Sequence, residues 1–242
     1  MNIISNASRQ VILDTETTGM NQGSGAVYIG HRIIEIGCVE VINRRLTGRY
    51  YHQYINPGQP IDPEAIAVHG ITDERVANEP RFHQIAQEFI DFISGAEIVA
   101  HNANFDVSFM DHEFSLLQPS GPKTRDICEI LDSLDIAKFL HPGQKNNLDA
   151  LCKRYGIDNS RRHYHGALLD AEILADVYLS MTGGQTKFNL SNEEVGQEGG
   201  GIQRFDPTSL NLKVIRASAD ELVMHEERLD LVAKSGKCLW RG

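Results

Sequence analysis

Hydrophobic positions in the N-terminal part of the chain are typical of β-strands. Residues 11–16, 32–41 and 50–55 are rich in β-branched and apolar side chains, and short polar or glycine-rich stretches separate them. This pattern predicts three consecutive strands, with a turn at residues 43–48 between the second and the third. Short connections between consecutive strands predict an antiparallel meander.

Farther along the chain, apolar residues follow a helical period that short apolar runs interrupt. Helices are predicted at residues 60–69, 81–93, 104–117, 133–139, 148–155 and 167–181, and short strands at residues 97–100 and 124–128. A strand meander followed by alternating strands and helices indicates the α/β class, with a mixed sheet that carries helices on its faces.

The composition changes near residue 182, which we take as the end of a domain of residues 1–182. Residues 183–205 are rich in glycine, glutamate and other polar residues, and they predict a flexible linker. Residues 206–242 form a C-terminal tail of about 40 residues, which is too short to bury a hydrophobic core of its own.

The tail nevertheless has the pattern of folded structure. Residues 210–215 alternate as in a strand, and Ser218 with Glu221 matches the capping box of a helix that ends near Ser235. The chain's single tryptophan, Trp240, follows this helix. An apolar tail on a flexible tether predicts docking on another protein.

Charge and composition narrow the class of function. A net charge of −10 over 242 residues argues against a wide basic surface for nucleic acid. It is compatible with an enzyme that holds a few phosphates through metal ions. No apolar run has the roughly 18 residues of a membrane span, and the N-terminus lacks a secretory signal. Four scattered cysteines are typical of reduced thiols, so we expect a cytoplasmic protein with no membrane association.

Two carboxylates one residue apart end the first predicted strand. Asp14 and Glu16 point to the same face, because side chains alternate along a strand. Two adjacent like charges repel each other unless a cation or a shared proton compensates them. On this stretch alone, a solvated strand end that leads into the turn at residues 17–19 is an equally good interpretation.

Two aspartates fall on apolar helix faces. Asp106 shares its face with Phe109 and Met110, and Asp170 shares its face with Leu174. Both aspartates lie in the first turn of a helix, where the helix dipole favours an anion, so charges at the domain edge are the alternative interpretation. Together with the strand pair they make four acids in a core that otherwise excludes charge.

A histidine precedes the last of these acids. His165 and Asp170 are five residues apart, so they do not share one helical face and His165 is expected in the loop before the helix. A histidine above a carboxylate cluster suits a general base, whereas a surface position in a polar run is the alternative, and we keep that interpretation for His163. Carboxylate ligands select Mg²⁺ or Mn²⁺, and four acids can hold two such ions about 4 Å apart.

Three segments together resemble the motifs of a known family. Asp-Thr-Glu at residues 14–16, His-Asn-Ala-Asn-Phe-Asp at residues 101–106 and His-Gly-Ala-Leu-Leu-Asp at residues 165–170 resemble the motifs of the DEDDh 3′→5′ exonucleases in order and spacing. Residues 9–183, together with the C-terminal Arg-Leu-Asp-Leu-Val and Cys-Leu-Trp segments, resemble most closely the proofreading subunits of bacterial replicative DNA polymerases.

The resemblance implies a ribonuclease-H-like fold, in which helices flank a mixed five-stranded sheet. It also implies that Asp14, Glu16, Asp106 and Asp170 bind two divalent cations, Mg²⁺ or Mn²⁺. His165 would deprotonate the water that attacks the terminal phosphodiester, and a nucleoside 5′-monophosphate would be released.

Further residue roles rest on the resemblance alone. Glu64 and His69 match positions that contact the 3′-terminal nucleotide, as do three of the four acidic residues, those at positions 14, 16 and 170. His101 and Asn102 match positions that support the site.

Partners are also implied by the resemblance. Gln185, Phe188 and Leu190 are candidate anchors of a sliding-clamp-binding peptide at residues 185–190. Residues 206–242 would bind the polymerase (alpha) subunit, and a small theta-like accessory subunit would bind the nuclease domain. The substrate would be a single-stranded or frayed 3′ end of DNA, from which mispaired nucleotides are removed.

Two other functions compete with proofreading. A stand-alone DEDDh nuclease that trims RNA or short oligonucleotides would use the same site, but it leaves the tether and the apolar tail unexplained. A catalytically inert scaffold between clamp and polymerase has no reason to keep four anions in a core.

Overall fold

The computed structural model describes residues 7–162, 164–183, 217–236 and 240. The chain divides into two compact units, Met1–Phe188 and Asn189–Gly242. The strands in the described residues are β1 (Arg9–Thr17), β2 (Ile33–Ile42), β3 (Arg45–Tyr54), β4 (Glu97–Ala100) and β5 (Glu129–Asp132). The helices are α1 (Pro63–His69), α2 (Asp73–Val76), α3 (Phe82–Ile93), α4 (Ala103–Leu117), α5 (Thr124–Ile127), α6 (Ser133–Leu140), α7 (Leu148–Tyr155), α8 (Ala167–Thr182) and α9 (Ala219–Ser235).

The strands form one mixed sheet with the order β3-β2-β1-β4-β5. The first three strands make the predicted antiparallel meander, and β4 and β5 extend it in parallel to β1. The prediction of a mixed five-stranded sheet is confirmed. β1 lies at the centre, so its carboxyl end meets that of β4 at the same edge of the sheet.

The turn between β2 and β3 is tighter than predicted. Asn43 and Arg44 both have positive φ, at 48° and 63°, which is the backbone of a two-residue hairpin turn. Arg45 and Leu46 already pair with β2, opposite Ile42 and Val41. The predicted turn at residues 43–48 was therefore wrong for residues 45–48, which belong to β3.

The fifth strand also begins later than predicted. Residues 124–128 were expected to form a strand, but Thr124–Ile127 is a helical turn. The Asp111 carboxylate accepts hydrogen bonds of 2.7 Å from both the backbone N–H and the hydroxyl of Thr124, which fixes the start of this turn. The strand follows at Glu129–Asp132, where Ile130 pairs with Ile98 of β4.

Alternate residues of β1 enter two different core layers. Val11 and Leu13 pack with buried residues of α3 and α4, whereas Ile12 packs with those of α7 and α8. Asp14 and Glu16 have the same parity as Ile12, so they project from β1 towards the α8 side of the sheet. The pairing of β1 with β2 shifts register directly after Glu16, which ends the regular strand at this point.

The first turn of α8 is fixed against β2. A Cβ on Gly37 would lie 2.2 Å from the backbone of Ala167 and Leu168, so only glycine permits this close approach. The buried Glu35 accepts a hydrogen bond of 3.0 Å from the Ala167 N–H, and its other oxygen is 2.7 Å from His52 Nε2. β2 therefore sets the position of the helix that carries Asp170.

In the second unit, α9 begins at the predicted capping box. The Ser218 hydroxyl accepts a hydrogen bond of 3.3 Å from the Glu221 N–H, and the Glu221 carboxylate accepts one of 2.8 Å from the Ser218 N–H. The predicted strand at residues 210–215 and the candidate clamp-binding peptide lie outside the described residues. In the part of the chain that is described, none of the helices has both the length and the apolar content to span a membrane.

Candidate active site

One cleft collects the candidate residues from all three motifs. It has a volume of about 450 Å³ and opens where β1 and β4 end. Its lining residues are Asp14, Thr15, Glu16, His101, Asn102, Phe105, Asp106, Asn147, Leu148, Asp149, Arg162, His165 and Asp170. The four acids and the histidine singled out in the sequence are all among them.

Three ligand atoms in this cleft are close enough to share one metal ion. One atom each from Glu16, His165 and Asp170 lies within 4.8 Å of the other two. Asp106 comes to the cleft from the first turn of α4, where the Thr15 hydroxyl donates a hydrogen bond of 2.7 Å to its Oδ1. Neighbouring residues of β1 thus supply two acids and the donor that orients a third.

Burial and repulsion from neighbouring acids raise the pKa values of Asp14, Glu16 and Asp106. Burial, followed by repulsion from the neighbouring acids, raises the pKa of Asp14 well above its usual range. Burial and repulsion from Asp170 and other acids raise the pKa of Glu16 to about 8, and burial raises the pKa of Asp106 to about 7. A cluster of buried carboxyl groups that hold their protons near neutral pH fits a divalent cation, because the positive charge of the metal would displace those protons.

The turn between β4 and α4 is fixed by polar contacts. Asn102 has φ of 70°, and the Asp132 carboxylate accepts a hydrogen bond of 3.0 Å from its backbone N–H. His101 Nε2 donates to the Asn146 carbonyl oxygen at 2.7 Å, and its Nδ1 is 3.0 Å from the Ser133 hydroxyl. These contacts link the start of α4, and therefore Asp106, to the segments that precede α6 and α7.

His165 lies in the loop that precedes α8. Its side chain is 46% exposed, and Nδ1 is 3.6 Å from Asp170 Oδ2. Its backbone N–H donates to the Val68 carbonyl oxygen at 3.2 Å, which connects this loop to the end of α1. Burial and the adjacent Arg162 guanidinium lower the pKa of His165, so the imidazole is neutral at pH 7. The polar-run neighbour His163 lies outside the described residues.

Sequence reasoning missed Arg162, which belongs to the same polar run but is buried in the cleft. Its Nε and Nη2 donate to the two carboxylate oxygens of Asp170 at 2.5 and 2.7 Å, and its Nη1 donates to Asp149 at 2.8 Å. Only 7% of its side chain is exposed. No periodicity in the sequence distinguishes it from Arg161, and the one available signal is its position three residues before His165.

A second cleft adjoins the first and shares Glu16 and Phe105 with it. It has a volume of about 260 Å³, and Glu64 and His69 are among its lining residues. The His69 Nδ1 accepts a hydrogen bond of 3.0 Å from the Ile71 N–H, and burial lowers its pKa, so Nε2 carries the ring proton. Within the described residues Nε2 makes no hydrogen bond of good geometry, although a weaker contact with the Thr17 backbone offsets part of the fall in pKa. It is therefore available to donate to a ligand, whereas Glu64 is exposed at the rim.

Comparison with known proteins gives consistent similarities. Residues 11–178 match the exonuclease family RNase_T. DNA polymerase III subunit epsilon of Escherichia coli is 56% identical over 238 residues, which cover 97% of this chain and 98% of the relative. The Haemophilus influenzae protein of the same name is 56% identical over 248 residues, which cover 97% of this chain and 95% of the relative.

Solved structures agree with the sequence matches. Exonuclease X in complex with 5′-overhanging duplex DNA has a TM-score of 0.56 and 28% identity, over 72% of this chain and 91% of that chain. Escherichia coli exonuclease I in complex with single-stranded DNA has a TM-score of 0.61 at 19% identity, over 74% of this chain and 41% of that chain, and it is similar in fold alone. These neighbours have the ribonuclease-H-like exonuclease fold, which confirms the predicted fold class. On this evidence the chain belongs to the exonuclease family and, within it, to the DNA polymerase III epsilon subunits.

Proposed function

We propose that this chain is the proofreading 3′→5′ exonuclease subunit of a bacterial replicative DNA polymerase and works in the cytoplasm. The observation that carries the proposal is the convergence of four acids and one histidine, from three separate motifs, in a single cleft. The name that its relatives bear, DNA polymerase III subunit epsilon, supports the replicase context.

In this proposal Asp14, Glu16, Asp106 and Asp170 hold two divalent cations, Mg²⁺ or Mn²⁺. Such ions stabilise the negative charge on the attacking and leaving oxygens of a phosphodiester. The oxygen donors and their raised pKa values support a hard divalent cation at this position.

His165 acts as the general base. Its ring is neutral at pH 7 and half-exposed beside Asp170, two conditions that a base for the attacking water must meet. The adjoining cleft receives the 3′-terminal nucleotide, where His69 donates a hydrogen bond from Nε2 and Glu64 contacts the nucleotide from the rim. The released product is a nucleoside 5′-monophosphate.

A nuclease assay with Mg²⁺ on matched DNA, mispaired DNA and RNA 3′ ends tests this function. We expect single-stranded and mispaired DNA ends to be degraded fastest, and Asp14→Ala with Glu16→Ala to abolish the activity. Asp176→Asn, on an exposed face of α8, is the matched control and should retain the wild-type rate. Preference for RNA ends would favour the stand-alone nuclease, and near wild-type activity in the double variant would refute the site.

The tail of residues 206–242 binds the polymerase (alpha) subunit in this proposal. α9 exposes Leu222, Val223 and Met224 at 54%, 59% and 66%, and Trp240 is 83% exposed. Apolar surface of this kind suits a protein partner. We expect deletion of residues 202–242 to leave nuclease activity intact and to stop co-purification with the polymerase subunit, and unchanged co-purification would refute this role.

Two further partners stay predictions. The candidate clamp-binding residues Gln185, Phe188 and Leu190 lie outside the described residues. A small theta-like accessory subunit on the nuclease domain is implied by the resemblance alone.

A further inference from the structure

The Arg162 guanidinium is enclosed by three functional groups of the cleft. It forms two parallel hydrogen bonds to Asp170, donates a third to Asp149, and its Nη2 is 3.1 Å from His165 Nδ1. A buried cation with this many specific contacts is not a solvated surface charge. It lies between Asp170 and His165 on one side and Asp149 on the other.

Its contacts with Asp170 cover the position that a metal ion would use. A fork of two parallel N–H donors occupies the edge of a carboxylate between its two oxygens. A divalent cation that coordinates the same oxygens at about 2.1 Å would be repelled by the guanidinium and would compete with it for the same lone pairs. Arg162 and a cation on this side of Asp170 therefore exclude each other.

Its contact with His165 keeps that ring from acting as a base. When Arg162 donates to the Nδ1 lone pair, the neutral imidazole carries its proton on Nε2. A ring in this arrangement has no lone pair left to accept a proton from water. The same guanidinium thus binds both a proposed metal ligand, Asp170, and the proposed general base, His165.

Asp149 provides an ion pair that Arg162 keeps when its guanidinium moves away from Asp170 and His165. Its side chain is 59% exposed, against 3% for Asp170, so it lies on the outer side of the guanidinium. Asn159 Nδ2 donates to the same Asp149 oxygen at 3.0 Å, which holds this carboxylate in place. Rotation of Arg162 towards the rim would keep one ion pair and give up three contacts.

We propose that Arg162 is an exchangeable internal cation: it neutralises Asp170 and blocks His165 in the metal-free enzyme, and it moves to Asp149 when a divalent cation binds. The inference rests on the proposed function, because it assumes that Asp170 is a metal ligand. Metal loading and release of the base become one event, so that the enzyme has no active base in the cleft before its cations are bound.

The test measures Mn²⁺ binding by calorimetry without DNA, and thermal unfolding of the full chain in EDTA and in saturating Mn²⁺. With Arg162→Ala we expect the Mn²⁺ Kd to fall roughly tenfold, because the competitor is gone. We expect Tm in EDTA to fall by about 5 °C or more, because a buried acid loses its partner, and Mn²⁺ to restore most of this loss. Arg162→Lys keeps the charge without the fork, so its Kd should fall by roughly threefold.

Arg161→Ala is the matched control, because it removes the same charge from the adjacent, exposed position. It should leave both the Kd and the Tm in EDTA unchanged. This inference alone would be overturned if the Arg162 variants bind Mn²⁺ no more tightly than the wild-type chain, while the wild-type chain still binds Mn²⁺ and cleaves DNA. Absence of Mn²⁺ binding by the wild-type chain would overturn the proposed metal site and this inference with it. If Arg162→Ala does not fold in EDTA, the Mn²⁺ Kd of Arg162→Lys decides whether the inference holds.

Discussion

Metal binding at the acidic cleft should release protons, and the number can be worked out for two of its groups. With a pKa of about 8, Glu16 is about 0.9 protonated at pH 7, and Asp106, with a pKa of about 7, is about half protonated. A cation that coordinates both carboxylates displaces these protons, about 1.4 per chain. Asp14 adds to this number, since its pKa is also raised. At pH 9 the two groups together hold only about 0.1 proton.

Calorimetric titration with Mn²⁺ in two buffers of different ionisation enthalpy measures this release directly. We expect at least about 1.4 protons at pH 7, a smaller number at pH 9, and a Kd that falls as the pH rises between these values. Asp176→Asn, which removes an exposed acid from α8, should show the wild-type proton count. Release of less than about 0.5 proton at pH 7 would mean that the acids are already ionised without metal. An equal release at both pH values would also refute the reasoning.

Three further predictions concern stability. Gly37→Ala should lower the free energy of unfolding by about 3 kcal/mol or more in denaturant titrations, because the new methyl group meets the backbone at the start of α8. Gly166→Ala is the control: its Cβ has open space around it, so the loss should be less than about 1 kcal/mol. Glu113→Ala should lower the free energy of unfolding by about 3–5 kcal/mol, because it leaves the largely buried Arg32 without its carboxylate. Glu79→Ala, which removes the partner of the more exposed Arg75, should lower it by less than about 1 kcal/mol. Without metal, the free energy of unfolding should fall as the pH rises from about 5 to about 9. Folding raises the pKa of Glu16 from 4.5 to about 8, so the folded chain holds this proton more tightly than the unfolded chain. The resulting stability is complete below the pKa of the unfolded state and is lost as the pH passes the pKa of the folded state. Equal unfolding midpoints at pH 6 and pH 9 in EDTA would contradict the last of these.

The parts of the molecule that could be predicted from the sequence are those that periodicity determines. The alternation along β1 placed Asp14 and Glu16 on one face, and the helical period put Asp106 and Asp170 on apolar faces, where both are buried in the structure. Each of these inferences needs only the geometry of one strand or one helix. The convergence of all four in one cleft follows from the sheet order, which the spacing alone did not give. The resemblance implied a mixed five-stranded sheet and a shared metal site, but no strand order.

The features that were wrong or missed depend on contacts between segments far apart in sequence. The start of α5 is set by the carboxylate of Asp111, thirteen residues earlier, and no local propensity marks it. Arg162 enters the cleft because its loop is attached through His165 to the Val68 carbonyl oxygen at the end of α1. Arg161 and Arg162 are identical in type and adjacent in sequence, and only the path of this loop decides which of them is buried.

The placement of β2 explains why α8 can bring Asp170 to the acids of β1 at all. Glu35 pairs with Glu16 across the two strands and adds one more acid beside the four of the cleft, and its charge further raises the pKa of Glu16. That repulsion is unfavourable, yet Glu35 also accepts the first backbone N–H of α8, and Gly37 lets the helix approach within contact of the strand. A glutamine at position 35 could keep the first hydrogen bond and relieve the repulsion, but it would weaken the contact with His52 and the anion at the helix N-terminus. The chain thus keeps an electrostatically costly residue because it fixes the helix that carries the last acid, and in this fold the geometry of the cleft takes precedence over its stability without metal.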